Sequence, residues 1–259
     1  MTDTLRISTF SRTAIHTHAT EKGFYAAEDL KIEVDMTQGS KTQMAQLKEG
    51  VWDFVSTNFD NVLYWNEDRG ADFLVVSAME SLPHQDLVVR PEIRTYEDFR
   101  GKVIAVDAAE SGYVTPLRVL LSNAGLKENE DYTLIEAGAT DERVAAMASG
   151  KAVGAMVSEG RELSYGMWVM DAIGRLYTHY ASIIVVRREW AAANESLIRR
   201  YLRAHLGAAA SLKGSKDVSF AWSGLHEMME VRSGVGFLRG EIDPTRFATE
   251  HYFEQALPH

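Results

Sequence analysis

Cysteine is absent from this chain of 259 residues, and proline is scarce, at 5 residues. The lack of cysteine excludes disulfides, thiolate metal sites and cysteine nucleophiles together. No apolar run is long enough to span a bilayer. Basic residues number 27 against 37 acidic ones, so the formal net charge is −10. Because affinity for phosphate backbones and anionic membranes comes from clustered basic side chains, neither nucleic acid nor membrane insertion is expected.

The amino terminus has no basic segment followed by an apolar run, as a secretory signal would have. It enters a predicted strand at residues 5–10 instead. As written, the sequence is therefore expected to be cytoplasmic, and periplasmic if an export signal has been removed. A chain of this length can bury one large core or two modest ones.

A faint internal repeat recurs at a spacing of 100 residues, with residues 39–58 matched by residues 138–158. Each copy is predicted to be a glycine turn, an amphipathic helix ended by Gly50 or Gly150, and a short apolar strand. The repeat predicts two similar α/β lobes. Because open α/β sheets bind ligands beyond the carboxyl ends of their strands, function is expected in the cleft between the lobes.

The alternation of strand-like and helix-like periods predicts an α/β fold with two Rossmann-like lobes and a two-strand hinge. The predicted domains are residues 1–88 plus 187–259 for lobe one, and residues 89–186 for lobe two. A capping-box pair, Thr95 and Asp98, begins the segment in which the chain first crosses between the lobes.

Three segments resemble periplasmic solute-binding proteins of the sulfonate, nitrate and thiamine-precursor type. They are residues 22–34 (KGFYAAEDLKIEV), 99–106 (FRGKVIAV) and 150–155 (GKAVGA). The similarity covers roughly the first two hundred residues in the expected order, which is more specific than any one motif. It implies a type II periplasmic-binding-protein fold that closes by a hinge on a small organic molecule, usually an anion or an aromatic. For an exported protein it also implies an ABC permease as partner.

The same fold carries cytoplasmic enzymes, so the resemblance leaves the function open. Such relatives include the pyrimidine synthase of fungal thiamine synthesis, chorismate dehydratase and the dihydroxynaphthoate synthase of the futalosine route. The pyrimidine synthase uses a cysteine-rich iron-binding motif, so that activity is not expected in a chain without cysteine. A binding protein and a cofactor-free lyase, decarboxylase or hydrolase stay open as hypotheses. A cytosolic ligand sensor is a third, without support in the sequence.

Three candidate residues follow the first predicted strand. The planar donors of Arg12 suit a carboxylate or sulfonate, although a solvated loop arginine is equally expected. His16 and His18 are the most unusual local pair. On a helix their rings would diverge, whereas in an extended loop they would point to the same side. One of them is expected to line the cleft, and no metal is predicted.

Polar side chains follow the repeated strands in both lobes, and two of them are carboxylates. Asn58 and Asp60 come after the first copy, and Glu159 after the second. Facing carboxylates would raise each other's proton affinity and serve acid–base chemistry, or they would bind a ligand ammonium or hydroxyl. Glu159 could equally face solvent. In the enzyme hypothesis the catalytic residues are His16, His18, Asp60 and Glu159.

The start of a predicted helix in lobe two is a candidate anion site. There Ser111 and backbone N–H groups would meet an anion at the positive end of the helix dipole, although Ser111 could merely cap its own helix. Tyr113 could stack on an aromatic ligand. The predicted ligand-binding residues are Arg12, His16, Asn58, Asp60, Glu80, His84, Glu110, Ser111, Tyr113 and Glu159. No cofactor is predicted.

Overall fold

The computed structural model describes residues 2–10, 12–37, 39–81, 85–112, 114–158, 163–172, 181–213, 222–236, 238 and 243–257. Within these residues the strands form two five-stranded sheets. The side chains of residues 79–81, 181 and 223 are outside the description.

The first sheet has the strand order β2-β1-β3-β10-β4. β1 (Asp3–Thr9) pairs in parallel with β2 (Leu30–Met36) and with β3 (Phe54–Thr57). β10 (Ala181–Arg187) lies antiparallel between β3 and β4 (Phe73–Ser81). The sheet therefore takes one strand from far along the chain.

The second sheet has the order β7-β6-β8-β5-β9. β6 (Lys102–Val106) is parallel to β7 (Tyr132–Glu136) and to β8 (Gly154–Ser158). β5 (Gln85–Val89) lies antiparallel between β8 and β9 (Trp168–Ala172). The second sheet thus repeats the order of the first, with β5 in the place that β10 takes there. This arrangement confirms the predicted α/β class with two similar lobes.

The sheets also show where the chain changes from one to the other. β5 begins at Gln85 in the second sheet, and β10 begins at Ala181 in the first. The predicted bounds at residues 88/89 and 186/187 fall within these two strands. The division into two domains stays a prediction.

Helices from both ends of the chain cover one face of the first sheet. They are α1 (Ala14–Glu21), α2 (Phe24–Ala27), α7 (Arg188–Ala193), α8 (Glu195–Ser211) and α10 (His251–Glu254). On this face Tyr201 is fully buried and stacks on Phe54, with ring centroids 4.8 Å apart. Burying a large apolar side chain contributes about 1.5–3 kcal/mol. In the described part of the chain, no helix has both the length and the apolar character that a membrane span requires.

A second group of helices joins the two lobes. α4 (Phe59–Asp68) follows the first sheet's β3, and α5 (Val114–Asn123) follows β6 of the second sheet. α9 (Trp222–Gly234) packs against both α4 and α5. Val62 of α4 and Leu117 of α5 belong to the same buried apolar cluster as the α9 methionines. One continuous core therefore extends across both sheets.

The predicted repeat is confirmed as two matching helix–strand units. α3 (Ser40–Glu49) precedes β3, and α6 (Thr140–Ala148) precedes β8. Gly50 and Gly150 follow these helices with φ angles of 81° and 78°. A left-handed backbone suits glycine because it has no Cβ. The glycine spacing in the sequence therefore reports the two helix ends.

The repeat extends to a pair of buried polar side chains. Gln43 Nε2 donates to the carbonyl oxygen of Ser56 at 3.1 Å, and the Arg143 guanidinium donates to that of Met156 at 2.5 Å. Each side chain thereby ties its helix to the strand that follows it. These hydrogen bonds offset part of the cost of burying the two side chains.

Candidate functional site

The first turns of α4 and α5 meet at the carboxyl ends of β3 and β6. Asn58 caps α4, with its Oδ1 accepting from the N–H of Asn61 at 3.1 Å. The N–H of Gly112, in the loop after β6, donates to Asn61 Oδ1 at 3.0 Å. A Cβ on Gly112 would lie 1.9 Å from Asn58 Oδ1. The structure therefore places Asn58 in direct contact with lobe two, and we call this contact the seam.

Asp60 connects three elements at the seam. Its carboxylate lies 2.8 Å from the Arg232 guanidinium of α9 and accepts from Thr115 Oγ1 of α5 at 2.9 Å. Asp60 is 1% exposed and Arg232 5%. Burial raises the pKa of Asp60, while Arg232 and the Thr115 hydroxyl act in the opposite direction. The carboxylate is thus engaged within the protein, and it forms part of the contact between the lobes.

Glu110 also crosses between the lobes, at the surface. One carboxylate oxygen lies 2.7 Å from the Arg69 guanidinium and the other 3.7 Å from Lys41 Nζ. Exposed ion pairs of this kind contribute about 0–1 kcal/mol each. Glu110 therefore pairs with side chains of lobe one.

Ser111 donates its hydroxyl hydrogen bond to Asp107, the first residue after β6. Ser40 Oγ, at the start of α3, donates to the other carboxylate oxygen of Asp107 at 3.4 Å. Burial raises the pKa of Asp107, and the Arg143 guanidinium opposes that shift. Asp107 thus accepts hydrogen bonds from both lobes. It was not among the predicted residues, although its place directly after an apolar strand was a usable signal.

Backbone donors in the loop before α5 have acceptors inside the protein. Ala109 N–H donates to Glu136 Oε1 at 2.9 Å, in addition to the Gly112 bond to Asn61. Ser111 N–H donates to Ala108 O at 3.0 Å, and Val114 N–H to Ser111 O at 3.0 Å. These four N–H groups at the predicted anion site therefore donate within the protein, and the anion site itself stays a prediction.

His16 and His18 lie on α1 and have different partners. His16 is 8% exposed, and its Nδ1 lies 3.3 Å from the hydroxyl of Tyr25. His18 Nε2 lies 2.8 Å from Ser211 Oγ on α8. The helix directs the two rings apart, as expected for this spacing. In the described part of the chain, no group of three or more metal-ligating side chains is present.

The burial of His16 predicts a pH dependence of stability. Burial lowers the pKa of His16, and the charge of Arg12 adds to the effect. Below the unfolded-state pKa of 6.5, the unfolded chain binds a proton that the native state binds less well. Stability present above that pH is therefore lost as the pH falls through 6.5 toward the native pKa. We expect the urea midpoint to decrease between about pH 7.5 and about pH 5.5.

The variant His16→Asn should show a smaller decrease over the same pH range, measured by urea denaturation. His226→Asn is the matched control, because His226 is exposed on α9. It should keep the pH dependence of the unmodified protein. Equal slopes for His16→Asn and the unmodified protein would contradict this role of His16.

The other predicted residues divide into exposed and undescribed ones. Arg12 is exposed, three residues after the end of β1. The backbone of Glu80 pairs with Ser182 within the first sheet. The side chain of Glu80 and the whole of His84, Tyr113 and Glu159 lie outside the described residues. The predicted pairing of Asp60 with Glu159 across the cleft therefore stays a prediction.

A cavity of about 240 Å³ adjoins the seam. Tyr64 of α4, Ser111 and Thr115 of lobe two, and Arg232 of α9 contribute to its wall. This volume is below the ~300–1,000 Å³ of drug-sized pockets, so it fits a small molecule. Arg232 was missed in the sequence because its contact with Asp60 joins positions 172 residues apart, beyond any local pattern.

Solved structures with the same fold cover nearly the whole chain. A protein from Bordetella bronchiseptica RB50 is 17% identical with a TM-score of 0.78, over 98% of this chain and 96% of that one. The ligand-binding component of an ABC-type import system from Staphylococcus aureus, with zinc bound, is 12% identical with a TM-score of 0.73, over 98% and 99%. The alkanesulfonate-binding protein SsuA from Xanthomonas axonopodis pv. citri is 18% identical with a TM-score of 0.68, over 98% and 82%. These likenesses confirm the predicted type II periplasmic-binding-protein fold.

Sequence comparison supports the same relationship. No curated protein matches the chain significantly. The family model described as NMT1/THI5 like matches residues 12–214, which is well over half of the sequence. The resemblance predicted from the three segments is confirmed. The chain belongs to the NMT1/THI5-like family.

Proposed function

We propose that this protein is a solute-binding protein whose two lobes close on a small organic molecule, anionic or aromatic. Its family and its fold, shared with a ligand-binding import component and a sulfonate-binding protein, support this role. The observation that carries the proposal is the seam. Helix starts that follow strands of different sheets meet there, at the contact of Gly112 with Asn58 and Asn61.

The topology provides a mechanism for closure. The chain changes sheet twice, before β5 and before β10, so bending at these two places changes the angle between the lobes. Closure brings the loops after β1, β3 and β6 together and excludes water from a ligand between them. Hydrogen bonds to the ligand become stronger in such a dry site. β5 and β10 stay within their sheets, so each sheet keeps its five strands as the angle changes.

An ABC permease is the proposed protein partner, and the periplasm the proposed location if the protein is exported. Support comes from the relatives, one of which is a ligand-binding component of an import system. The permease would contact both lobes of the closed form. The closed form presents a surface made by both lobes, and the open form does not present this surface.

The enzyme hypothesis receives no comparable support. Three of its four acid–base candidates, His16, His18 and Asp60, contact Tyr25, Ser211 and Arg232 respectively. The fourth, Glu159, lies outside the described residues. Groups engaged in this way are less available to a substrate. Binding without turnover is therefore the function that the described geometry supports best.

A ligand screen tests the proposal. Small acids and aromatics are screened by thermal shift, and hits are followed by X-ray scattering and by mass analysis of the recovered ligand. A ligand at one hundred times its Kd should stabilise the protein by about 2.7 kcal/mol. The radius of gyration should decrease, and the ligand should be recovered unchanged. A chemically altered ligand would favour the enzyme, and stabilisation without compaction would contradict closure.

A further inference from the structure

We propose that Glu110, Arg69 and Lys41 form an ionic latch that holds the two lobes together and makes ligand affinity depend on salt concentration. The inference rests on the proposed function, because a latch affects binding only if the lobes open and close around a ligand. It adds a means of regulation to the same site.

Glu110 lies in lobe two, in the loop between β6 and α5, and it contacts two separate elements of lobe one. Its Oε1 accepts a hydrogen bond from Arg69, the residue that ends α4, at 2.7 Å. Its Oε2 lies 3.7 Å from Nζ of Lys41 in the first turn of α3. One carboxylate of lobe two therefore holds two cations of lobe one.

Lobe one orients the Arg69 guanidinium for this contact. Arg69 Nε donates to the Tyr64 hydroxyl at 2.7 Å, and the guanidinium carbon lies 5.3 Å from the centre of the Tyr64 ring. Because Tyr64 lies on α4 of the same lobe, it orients Arg69 whether or not Glu110 is nearby. A side chain that is already ordered loses less conformational entropy when it forms an ion pair. This pair is therefore better suited to act as a latch than two unrestrained surface side chains.

The exposure of the latch makes it sensitive to salt. The side chains of Arg69, Lys41 and Glu110 are 45%, 61% and 32% exposed. Salt screens exposed charges, whereas the buried pair of Asp60 and Arg232 at the seam is screened much less. High salt should therefore release the latch and leave the buried contacts in place. A smaller population of the lobe arrangement that binds the ligand reduces the apparent affinity in proportion.

Distances between two spin labels test the latch without a ligand. The chain has no cysteine, so Lys31→Cys in lobe one and Lys127→Cys in lobe two provide the only two labelling sites. Both positions are exposed. Double electron–electron resonance gives the distance distribution at about 0.01 M and about 1 M salt, where the Debye length falls from about 30 Å to about 3 Å. We expect the population of longer distances to increase about threefold at high salt.

Variants assign this salt response to the latch. Glu110→Gln should show the larger population of long distances already at low salt, with no further increase at high salt. Arg69→Gln should behave similarly, and the double variant should differ little from Glu110→Gln, because the two residues share one interaction. Glu92→Gln is the matched control, since Glu92 pairs with Arg90 at the same 2.7 Å distance but within lobe two. It should keep the salt response of the unmodified protein.

The outcomes separate the latch from the proposed function. A distance distribution that does not change with salt, or a Glu110→Gln variant that responds as the unmodified protein does, would overturn the latch. An equal loss of response in Glu92→Gln would overturn it too, because that pair does not join the lobes. A ligand that compacts the protein equally at both salt concentrations would support closure and contradict the latch. If no ligand in the earlier screen compacts the protein, the proposed function fails even where the labels report a salt response.

Discussion

Replacing Asp60 with alanine should lower the melting temperature by roughly 10 °C. The variant leaves the Arg232 guanidinium in the core without its carboxylate, and Arg232 is only 5% exposed. Removing one partner of a buried ion pair costs about 3–5 kcal/mol, because the remaining charge stays buried. The Thr115 hydroxyl loses its acceptor at the same time. Calorimetry or thermal denaturation by circular dichroism measures the change.

The controls for Asp60 separate burial from charge. Asp72→Ala removes the exposed partner of Arg188 and should change stability by about 1 kcal/mol or less. The double variant Asp60→Leu with Arg232→Met replaces both charges by apolar groups and should recover most of the lost stability. If Asp60→Ala lost as little stability as the control Asp72→Ala, that result would contradict the stabilising role of the buried ion pair between Asp60 and Arg232.

Replacing Gly112 with alanine should hold the lobes apart and weaken ligand binding by about a hundredfold or more. The added Cβ would lie 1.9 Å from Asn58 Oδ1, far inside van der Waals contact. The clashing atoms are the end of the Asn58 side chain, which is buried and caps α4, so turning it away would cost the cap. Because Asn58 and Gly112 lie on opposite lobes, separation of the lobes relieves the clash and keeps the cap. X-ray scattering should show a larger radius of gyration, and calorimetry with the ligand found by screening should show the lost affinity.

Two further variants make the Gly112 result specific. Gly234→Ala adds a Cβ with no atom within 4 Å at the end of α9, and it should bind as the unmodified protein does. Adding Asn58→Gly to Gly112→Ala removes the clashing side chain. Glycine at a helix N-cap costs only a few tenths of a kcal/mol relative to asparagine. Unchanged compactness in Gly112→Ala, or no rescue by Asn58→Gly, would show that this contact does not control closure.

Local sequence patterns predicted most of the fold. Alternating and helical periods, with glycines at 50 and 150, located the repeated helix–strand units because each pattern depends on neighbouring residues. β9, Trp168–Ala172, was not predicted. It is an edge strand with no buried position, so no alternation of apolar and polar residues marks it in the sequence. The places of β5 and β10 in the sheets depend on pairing across the whole chain, which no local pattern encodes.

The candidate site was less predictable than the fold. Asn58, Glu110 and Ser111 were chosen because they follow strands, and the structure places them at the contact between the lobes. Their partners were not visible in the sequence. Arg232 reaches Asp60 from a helix near the end of the chain, and such a contact follows only from tertiary packing.

The place of β10 in the first sheet also sets the order in which the two sheets can form during synthesis. The five described strands of the second sheet lie between Gln85 and Ala172. All of them have therefore been synthesised before the chain is complete. The first sheet waits for β10, because Ile183 and its neighbours must insert between β3 and β4. A nascent chain therefore completes its second sheet before its first. Until residue 187 leaves the ribosome, β4 has an unpaired edge that invites pairing with another chain.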